Sequence, residues 1–243
     1  MTKKIWEMSA LQAHELLKKK EISASVILES SIQRIEEVDG NLNALPERCF
    51  ARAREVANNI DKNSSPKCNH NLLGLPIAVK DYNDLSGVPT TYGSTIFKNN
   101  IPQDSDRTVK LLERNGANPI AKSNVPEWAG GHTFYPVNGL TRNPWDISKS
   151  AGGSSGGSAS ALASGQVFLA TGNDLGGSLR TPAGFNGVVG LRPSPGLIPR
   201  GDRYMPFDTL WVEGPMARTV EDIALMLDSM VGHNISCLLY TSD

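Results

Sequence analysis

The chain has 243 residues, of which 39% are hydrophobic and 20% are charged, and its net charge is −1. This composition is that of a globular domain, and the near-neutral charge argues against a partner that needs a basic face, such as a nucleic acid. No apolar run approaches the ~18 residues of a membrane span, and three scattered cysteines form no disulfide or zinc pattern. We therefore expect a cytoplasmic protein that needs no metal or cofactor.

Capping residues predict three helices in the first part of the chain. Ser9 precedes a helical pattern over 10–20, and Ser23 precedes a second pattern that Gly40 is expected to end. Apolar residues at helical spacing over 49–60 predict a third helix.

Short apolar runs alternate with helical patterns in the rest of the chain. Strands are predicted at 75–81, 168–174 and 187–193, and helices at 106–115, after Ser105, and from Thr219 onward. The alternation predicts an α/β fold.

Two glycine-rich turns contain the residues of most chemical interest. The run 150–160, SAGGSSGGSAS, is either a flexible linker or a site loop, and patterned sequence on both sides favours a site loop. It matches G-x-S-x-G at Ser154 and at Ser155, the pattern of a hydrolase nucleophile elbow. The only histidine that follows is His233, so a Ser–His–Asp triad is poorly supported. Neither turn matches a nucleotide-binding pattern.

Lys80 ends the apolar run LPIAV, at the strand end where α/β proteins place their sites. A buried lysine loses protons more readily and can act as a general base. The alternative is an ordinary strand-end lysine whose amine reaches water.

Four segments resemble the amidase signature family. They are GLPIAVKD, AGGSSGGSASALASG, NDLGGSLRTPAGFNGVVGLRPS and TRNPWD, and the resemblance runs from about residue 9 to about residue 231. It implies an α/β fold with a mixed β-sheet flanked by helices on both sides, of which this chain would supply the N-terminal half. The separations of Lys80 from Ser154 and of Ser154 from Ser178, 74 and 24 residues, agree with the family pattern.

The resemblance also implies roles for individual residues. Ser178 would be the nucleophile, Ser154 a bridging serine after a cis peptide bond from Gly153, and Lys80 the base. The backbone N–H groups of Leu175, Gly176, Gly177 and Ser178 would form an oxyanion hole.

Supporting and substrate-binding roles follow from the same resemblance. Ser155 would support the loop by hydrogen bonding, and Asp174 with Arg180 would brace the nucleophile turn, unless these two form an ordinary surface ion pair. The segment 124–139 would line the substrate pocket. Its predicted contacts are Trp128, Gly130 and Gly131, with Phe134 and Tyr135 extending an apolar wall unless they serve ordinary packing.

Four positions depart from the family pattern, and we expect them to lie away from the three catalytic residues. They are Ala151, Asn173, Asn186 and Leu197.

The predicted function is an amidase that cleaves a small-molecule carboxamide through an acyl-enzyme. The alternatives are the A subunit of a tRNA-dependent amidotransferase, which alone would imply a nucleic-acid partner, and a non-catalytic truncated fragment. Segment 124–139 does not closely resemble that A subunit. A homodimer is also possible. We expect residues 1–232 to be a partial amidase signature domain and 233–243 to be read-through of sequencing adaptor, or else a short natural tail.

Overall fold

The computed structural model describes residues 4–63, 71–200 and 208–232. The predicted tail at 233–243, with His233, lies outside the described residues. Six strands form one mixed sheet in the spatial order β1-β3-β2-β8-β10-β9. They are β1 (Glu47–Arg48), β2 (Pro76–Lys80), β3 (Asn118–Ser123), β8 (Leu169–Asp174), β9 (Val189–Gly190) and β10 (Val212–Ala217). Two hairpins separate β3 from β8: β4 (Phe134–Tyr135) with β5 (Gly139–Leu140), and β6 (Arg142–Asn143) with β7 (Asp146–Ser150).

The centre of the sheet is parallel and its margins are antiparallel. Strand β2 pairs in parallel with β3 and with β8, whereas β1, β10 and β9 each pair antiparallel with a neighbour. The carboxyl ends of β2 and β8 therefore meet at one edge of the sheet, which brings Lys80 and Asp174 to the same region.

Helices cover both faces of the sheet, as the family resemblance implies. They are α1 (Ala10–Lys18), α2 (Ala24–Leu42), α3 (Phe50–Lys62), α4 (Arg107–Arg114), α5 (Gly156–Ala163), α6 (Arg180–Asn186) and α7 (Val220–Met230). Alternate residues of β2 face opposite ways. Ile77 packs into a core with α1, α4 and α7, and Ala78 packs into a second core with α2, α3 and α5. None of the helices in the described ranges is long and apolar enough to cross a membrane.

The predicted helix starts are mostly confirmed, and one predicted helix end is wrong. The hydroxyls of Ser9, Ser23 and Thr219 each accept a hydrogen bond from the backbone three residues on. Helix α2 continues through Gly40 and ends before Asn43, which adopts φ 53°. Asparagine is one of the residues that adopt this left-handed conformation at helix ends, and the side-chain amide of Asn43 also donates to the carbonyl of Leu140 at 3.2 Å.

Two buried strands and two short helices are absent from the sequence-based prediction. Strands β3 and β10 contain prolines, which hide the strand pattern. The two short helices are α5 and α6. In the glycine-rich run at 150–160, Ser150 ends β7, residues 151–155 form a loop, and α5 starts at Gly156. Helix α4 starts at Arg107 with Asp106 as its N-cap, one residue later than predicted.

Candidate active site

Lys80 is fully buried at the end of β2, and its amine is held by two side chains. Its Nζ lies 2.8 Å from Ser154 Oγ and 2.5 Å from Asn173 Oδ1. Burial lowers the pKa of Lys80 to about 7, although the negative charges of Glu213 and Asp174 act in the opposite direction. Both of its side-chain partners are neutral, so Lys80 can give up its proton without breaking an ion pair.

Ser154 sits in a loop between β7 and α5, and the peptide bond between Gly153 and Ser154 is cis. Gly153 packs directly on the backbone of the neighbouring loop. A Cβ at this position would overlap the carbonyl oxygen of Gly131 and would lie 2.9 Å from the Cα of His132. Only glycine fits here, and the fit holds the fully buried Ser154 against Lys80.

Ser178 lies in the turn between β8 and α6, and this turn is bonded to the Ser154 loop. The N–H of Ser155 donates to the carbonyl of Ser178 at 3.3 Å. Ser178 is partly exposed, whereas Lys80 and Ser154 are fully buried. The structure therefore brings all three predicted catalytic residues to one edge of the sheet, with Ser178 nearest to solvent.

Asp174 braces the turn that carries Ser178. Its carboxylate accepts from the N–H of Gly177 at 2.8 Å and of Leu179 at 3.1 Å, and it forms two 3.0 Å bonds with the guanidinium of Arg180. Arg192 adds a bond at 3.1 Å. Burial raises the pKa of Asp174, but these hydrogen bonds outweigh it and lower the pKa to about 2. Because the carboxylate is fully buried, this is not an ordinary surface ion pair.

The predicted oxyanion donors divide into two groups. In the described part of the chain, the N–H groups of Leu175, Gly176 and Ser178 donate to no protein acceptor. The N–H of Gly177 is already bonded to Asp174. Gly177 has φ +119°, a conformation that side chains rarely adopt, so this glycine shapes the turn.

Ser155 supports the site through its backbone rather than through its hydroxyl. Its Oγ is buried and has no hydrogen-bond partner among the described residues. The hydrogen bond that Ser155 contributes to the site comes from its N–H. The hydroxyl lies next to Gly172, where an added Cβ would be 3.1 Å from it. The contact that joins the two turns is its N–H bond to Ser178.

Comparison with known proteins is consistent with this arrangement. A family profile described as amidase matches residues 26–237. The A subunit of the glutamyl-tRNA(Gln) amidotransferase of Carboxydothermus hydrogenoformans is 39% identical over 239 residues, which cover 95% of this chain and 48% of that protein. The chain belongs to the amidase signature family.

Two solved structures superpose closely on this chain. One is an inhibitor-bound vestigial protein complex, described as revealing the evolutionary origins of an s-triazine catabolic enzyme. Its TM-score is 0.90 at 35% identity, and the matched region covers 97% of this chain and 52% of the chain in that complex. A bacterial aryl acylamidase of the amidase signature family has a TM-score of 0.89 at 32% identity, with 96% and 49% covered. The chain thus spans about half the length of these relatives.

The predicted substrate segment of this amidase signature chain forms part of an aromatic cluster. The ring of Trp128 stacks on Tyr92 with centroids 5.9 Å apart, and Phe97 meets both rings edge-on. Trp128 is 51% exposed, and Gly130 and Gly131 are exposed beside it. Phe134 is 59% exposed on the β4–β5 hairpin and is not part of this cluster. The side chain of Tyr135 lies outside the described part of the structure.

Three buried polar residues near the site were not predicted from the sequence to belong to it. Asn173 was expected to lie away from the catalytic residues, and this expectation is wrong because its Oδ1 contacts Lys80. Lys122 is fully buried and bonds the carboxylate of Asp81 at 3.2 Å. Glu213 is buried on β10. Of these, Lys122 carried a readable signal, because it ends an apolar run as Lys80 does.

Proposed function

We propose that this chain contains the catalytic centre of an amidase, with Ser178 as nucleophile, Ser154 as proton relay and Lys80 as base. The observation that carries the proposal is the 2.8 Å contact between Lys80 Nζ and Ser154 Oγ. Burial supports it, because a lysine with a pKa of about 7 is partly neutral at neutral pH and can accept a proton there. An ordinary lysine would stay protonated.

The first half-reaction forms an acyl-enzyme. The Oγ of Ser178 attacks the amide carbonyl carbon while its proton passes to Ser154 Oγ, and the proton of Ser154 passes to Lys80 Nζ. The carbonyl oxygen becomes an oxyanion, which the free N–H groups of Leu175, Gly176 and Ser178 are available to stabilise. When the tetrahedral intermediate collapses, the C–N bond breaks and the leaving nitrogen takes the proton back through Ser154.

The second half-reaction returns the enzyme to its first state. Water attacks the ester carbonyl of acyl-Ser178 and gives its proton to the same relay. The intermediate then releases the carboxylate product and restores the hydroxyl of Ser178.

The aromatic cluster supports a substrate with an aryl or other lipophilic group. Trp128 stands three residues before Gly131, whose carbonyl packs on Gly153 beside Ser154. One short loop thus joins the exposed ring to the relay serine. A flat apolar group of the substrate could stack on Trp128 while its carboxamide reaches Ser178. The homodimer and the cytoplasmic location stay predictions.

A second candidate function comes from the curated relatives. Several of them, at 37–41% identity, are A subunits of glutamyl-tRNA(Gln) amidotransferases. The same catalytic residues would then release ammonia from glutamine for use by partner subunits. Measuring glutamate release from glutamine beside hydrolysis of an aryl amide separates the two candidates, because a chain of the amidotransferase type should prefer glutamine.

The proposal is tested by labelling with a fluorophosphonate, which phosphonylates activated serines with loss of fluoride. Intact mass should show one adduct on the parent and none on Ser178→Ala. Labelling of Lys80→Ala should be slower by about 100-fold or more, since general-base catalysis contributes that much. Ser148→Ala is the matched control, because Ser148 is exposed on the β6–β7 hairpin and should label like the parent.

Two results would contradict the proposal. A folded parent that takes no label, with folding checked by circular dichroism, would indicate a non-catalytic fragment. An adduct that survives Ser178→Ala and disappears in Ser155→Ala or Ser154→Ala would instead support the G-x-S-x-G elbow.

A further inference from the structure

Glu213 is a buried carboxylate two strands away from Lys80, with β8 between them. It lies on β10, which runs antiparallel to β8, and it is the direct cross-strand partner of Asn173. Residues paired in this way project from the same face of a sheet. Asn173 in turn contacts Lys80 Nζ through its Oδ1. Asn173 therefore lies between Glu213 and Lys80. Its Nδ2 is buried and has no hydrogen-bond partner among the described residues, so Glu213 acts on Lys80 through its charge rather than through a chain of hydrogen bonds.

The carboxylate of Glu213 has only neutral hydrogen-bond partners. Its Oε1 accepts from Trp211 Nε1 at 3.0 Å, and its Oε2 accepts from Asn83 Nδ2 at 3.2 Å. Within the described residues, no lysine, arginine or histidine forms an ion pair with it. Asp174 differs, because its charge is balanced by Arg180 and Arg192.

Lys80 is in the complementary position. It is fully buried, and among the described residues its amine contacts a hydroxyl and an amide oxygen but no carboxylate. Burying a charge without a partner is costly, so a cation formed at Lys80 and an anion at Glu213 each need the other.

We propose that Glu213 is a positioning residue for amide hydrolysis: its buried carboxylate, placed beside Asn173 by the pairing of β10 with β8, stabilises the ammonium that Lys80 becomes when it receives the serine proton. Glu213 would thus strengthen Lys80 as a base without touching the substrate. This inference rests on the proposed function, because it concerns the same lysine.

The electrostatics of the surrounding groups support this role. Burial raises the pKa of Glu213, the bond from Trp211 opposes that rise, and the negative charge of Asp106 adds to it. Burial lowers the pKa of Lys80, and Glu213 is the strongest of the charges that raise it, ahead of Asp174.

Lys122, Asp174 and Asp106 are the other charged groups near the pair, and the first two have partners of opposite charge. The cation of Lys122, on the neighbouring strand β3, is paired with Asp81. The charge of Asp174 is shared with two arginines. Asp106 faces the pair from the loop before α4 and contacts the amide of Asn83 at 3.4 Å. Glu213 is therefore the group whose removal should change Lys80 most.

The variant Glu213→Gln tests the proposal through two independent measurements on the full chain. Lysine labelled with ¹³C at Cε reports the protonation of Lys80 by NMR titration, with Lys80→Ala identifying the signal. The rate of fluorophosphonate labelling against pH reports the base in action. Glu221→Gln is the matched control, because Glu221 is exposed in the first turn of α7 and should behave as the parent.

We expect Glu213→Gln to move the Lys80 titration and the acid limb of the labelling profile to lower pH by about one unit, since removing an opposite charge has effects of this order. The labelling rate on the alkaline plateau should also fall, because a weaker base takes the proton less readily. A plateau that falls while the acid limb and the NMR titration stay in place would mean a merely structural role and would overturn the proposal.

Two further results keep the test decisive. If Glu213→Gln does not fold, the variant Trp211→Phe takes its place, because it removes one hydrogen-bond donor from the Glu213 carboxylate. The Lys80 titration and the acid limb of the labelling profile should then both move to lower pH by less than in Glu213→Gln. If neither moves, the proposal is overturned. If the NMR titration moves as expected but even the parent takes no label, the electrostatic link between Glu213 and Lys80 is supported and the proposed amidase activity fails.

Discussion

Replacing Lys80 by methionine tests whether this lysine is held ready to act as a base. Methionine fills a similar volume but removes the amine that bonds Ser154 and Asn173. Lys80 has a pKa of about 7 in the folded chain and its ordinary pKa of 10.5 in the unfolded chain. Between pH 7 and pH 10.5, the unfolded chain therefore keeps a proton on Lys80 that the folded chain has lost. Stability must therefore rise with pH across this window.

The size of the effect follows from the linkage relation. Between about pH 7 and about pH 9, the folded chain loses the Lys80 proton and the unfolded chain keeps it. The free energy of unfolding of the parent should therefore gain about 2 kcal/mol from this residue over that interval. Lys80→Met should lack this gain. Losing the bonds of the amine lowers stability by a similar amount at both pH values, so it cancels in the comparison.

Urea unfolding measures the free energy of unfolding of the parent and of Lys80→Met at both pH values. The result is the gain of the parent between the two pH values minus the gain of Lys80→Met. Lys149→Met is the control, because its side chain is 72% exposed and its replacement should keep the parental pH dependence. If the parent and Lys80→Met gain the same stability on going to alkaline pH, Lys80 holds its proton as an ordinary lysine does, and the reasoning is refuted.

Three other substitutions have expected outcomes of their own. Gly153→Ala should lower the free energy of unfolding by about 2 kcal/mol and slow fluorophosphonate labelling about tenfold, because the new Cβ overlaps the backbone of Gly131. Asp174→Asn should cost about 2 kcal/mol in urea unfolding at neutral pH, and this cost should disappear as the pH falls through about 2, where the parental carboxylate is also protonated. Trp128→Ala should raise KM for an aryl amide about tenfold with little change in kcat, while KM for a small alkyl amide stays the same.

Each of these has a control in the chain. Gly184→Ala adds a methyl where nothing lies within 4 Å, so labelling should be unaffected. Asp228→Asn removes an exposed carboxylate and should leave stability near the parental value. For Trp128→Ala, equal changes in KM for both kinds of amide would show that the ring does not contact the apolar part of the substrate.

Local features of the fold were readable from the sequence because they depend on residues close together in the chain. The caps at Ser9, Ser23 and Thr219 are bonds to the backbone three residues away. The apolar run of β2 is recognisable because every residue of this strand is buried. The end of α2 was misplaced at Gly40, because the helix ends at Asn43, whose side-chain amide bonds the carbonyl of Leu140, 97 residues later in the chain.

The same contrast holds for the site. The sequence by itself determined which residue types stand in the two glycine-rich turns, and the family resemblance pointed from them to Lys80, Ser154 and Ser178. Only the tertiary structure decided that Asn173 contacts Lys80 and that Glu213 lies beside Asn173. The first is a hydrogen bond between side chains of different strands, the second is a cross-strand pair set by register, and neither follows from spacing in the sequence. A motif in one turn is formed by residues close together in the sequence and can be recognised there. The pKa of a buried group depends on strands that are distant in the sequence and that remove the group from water.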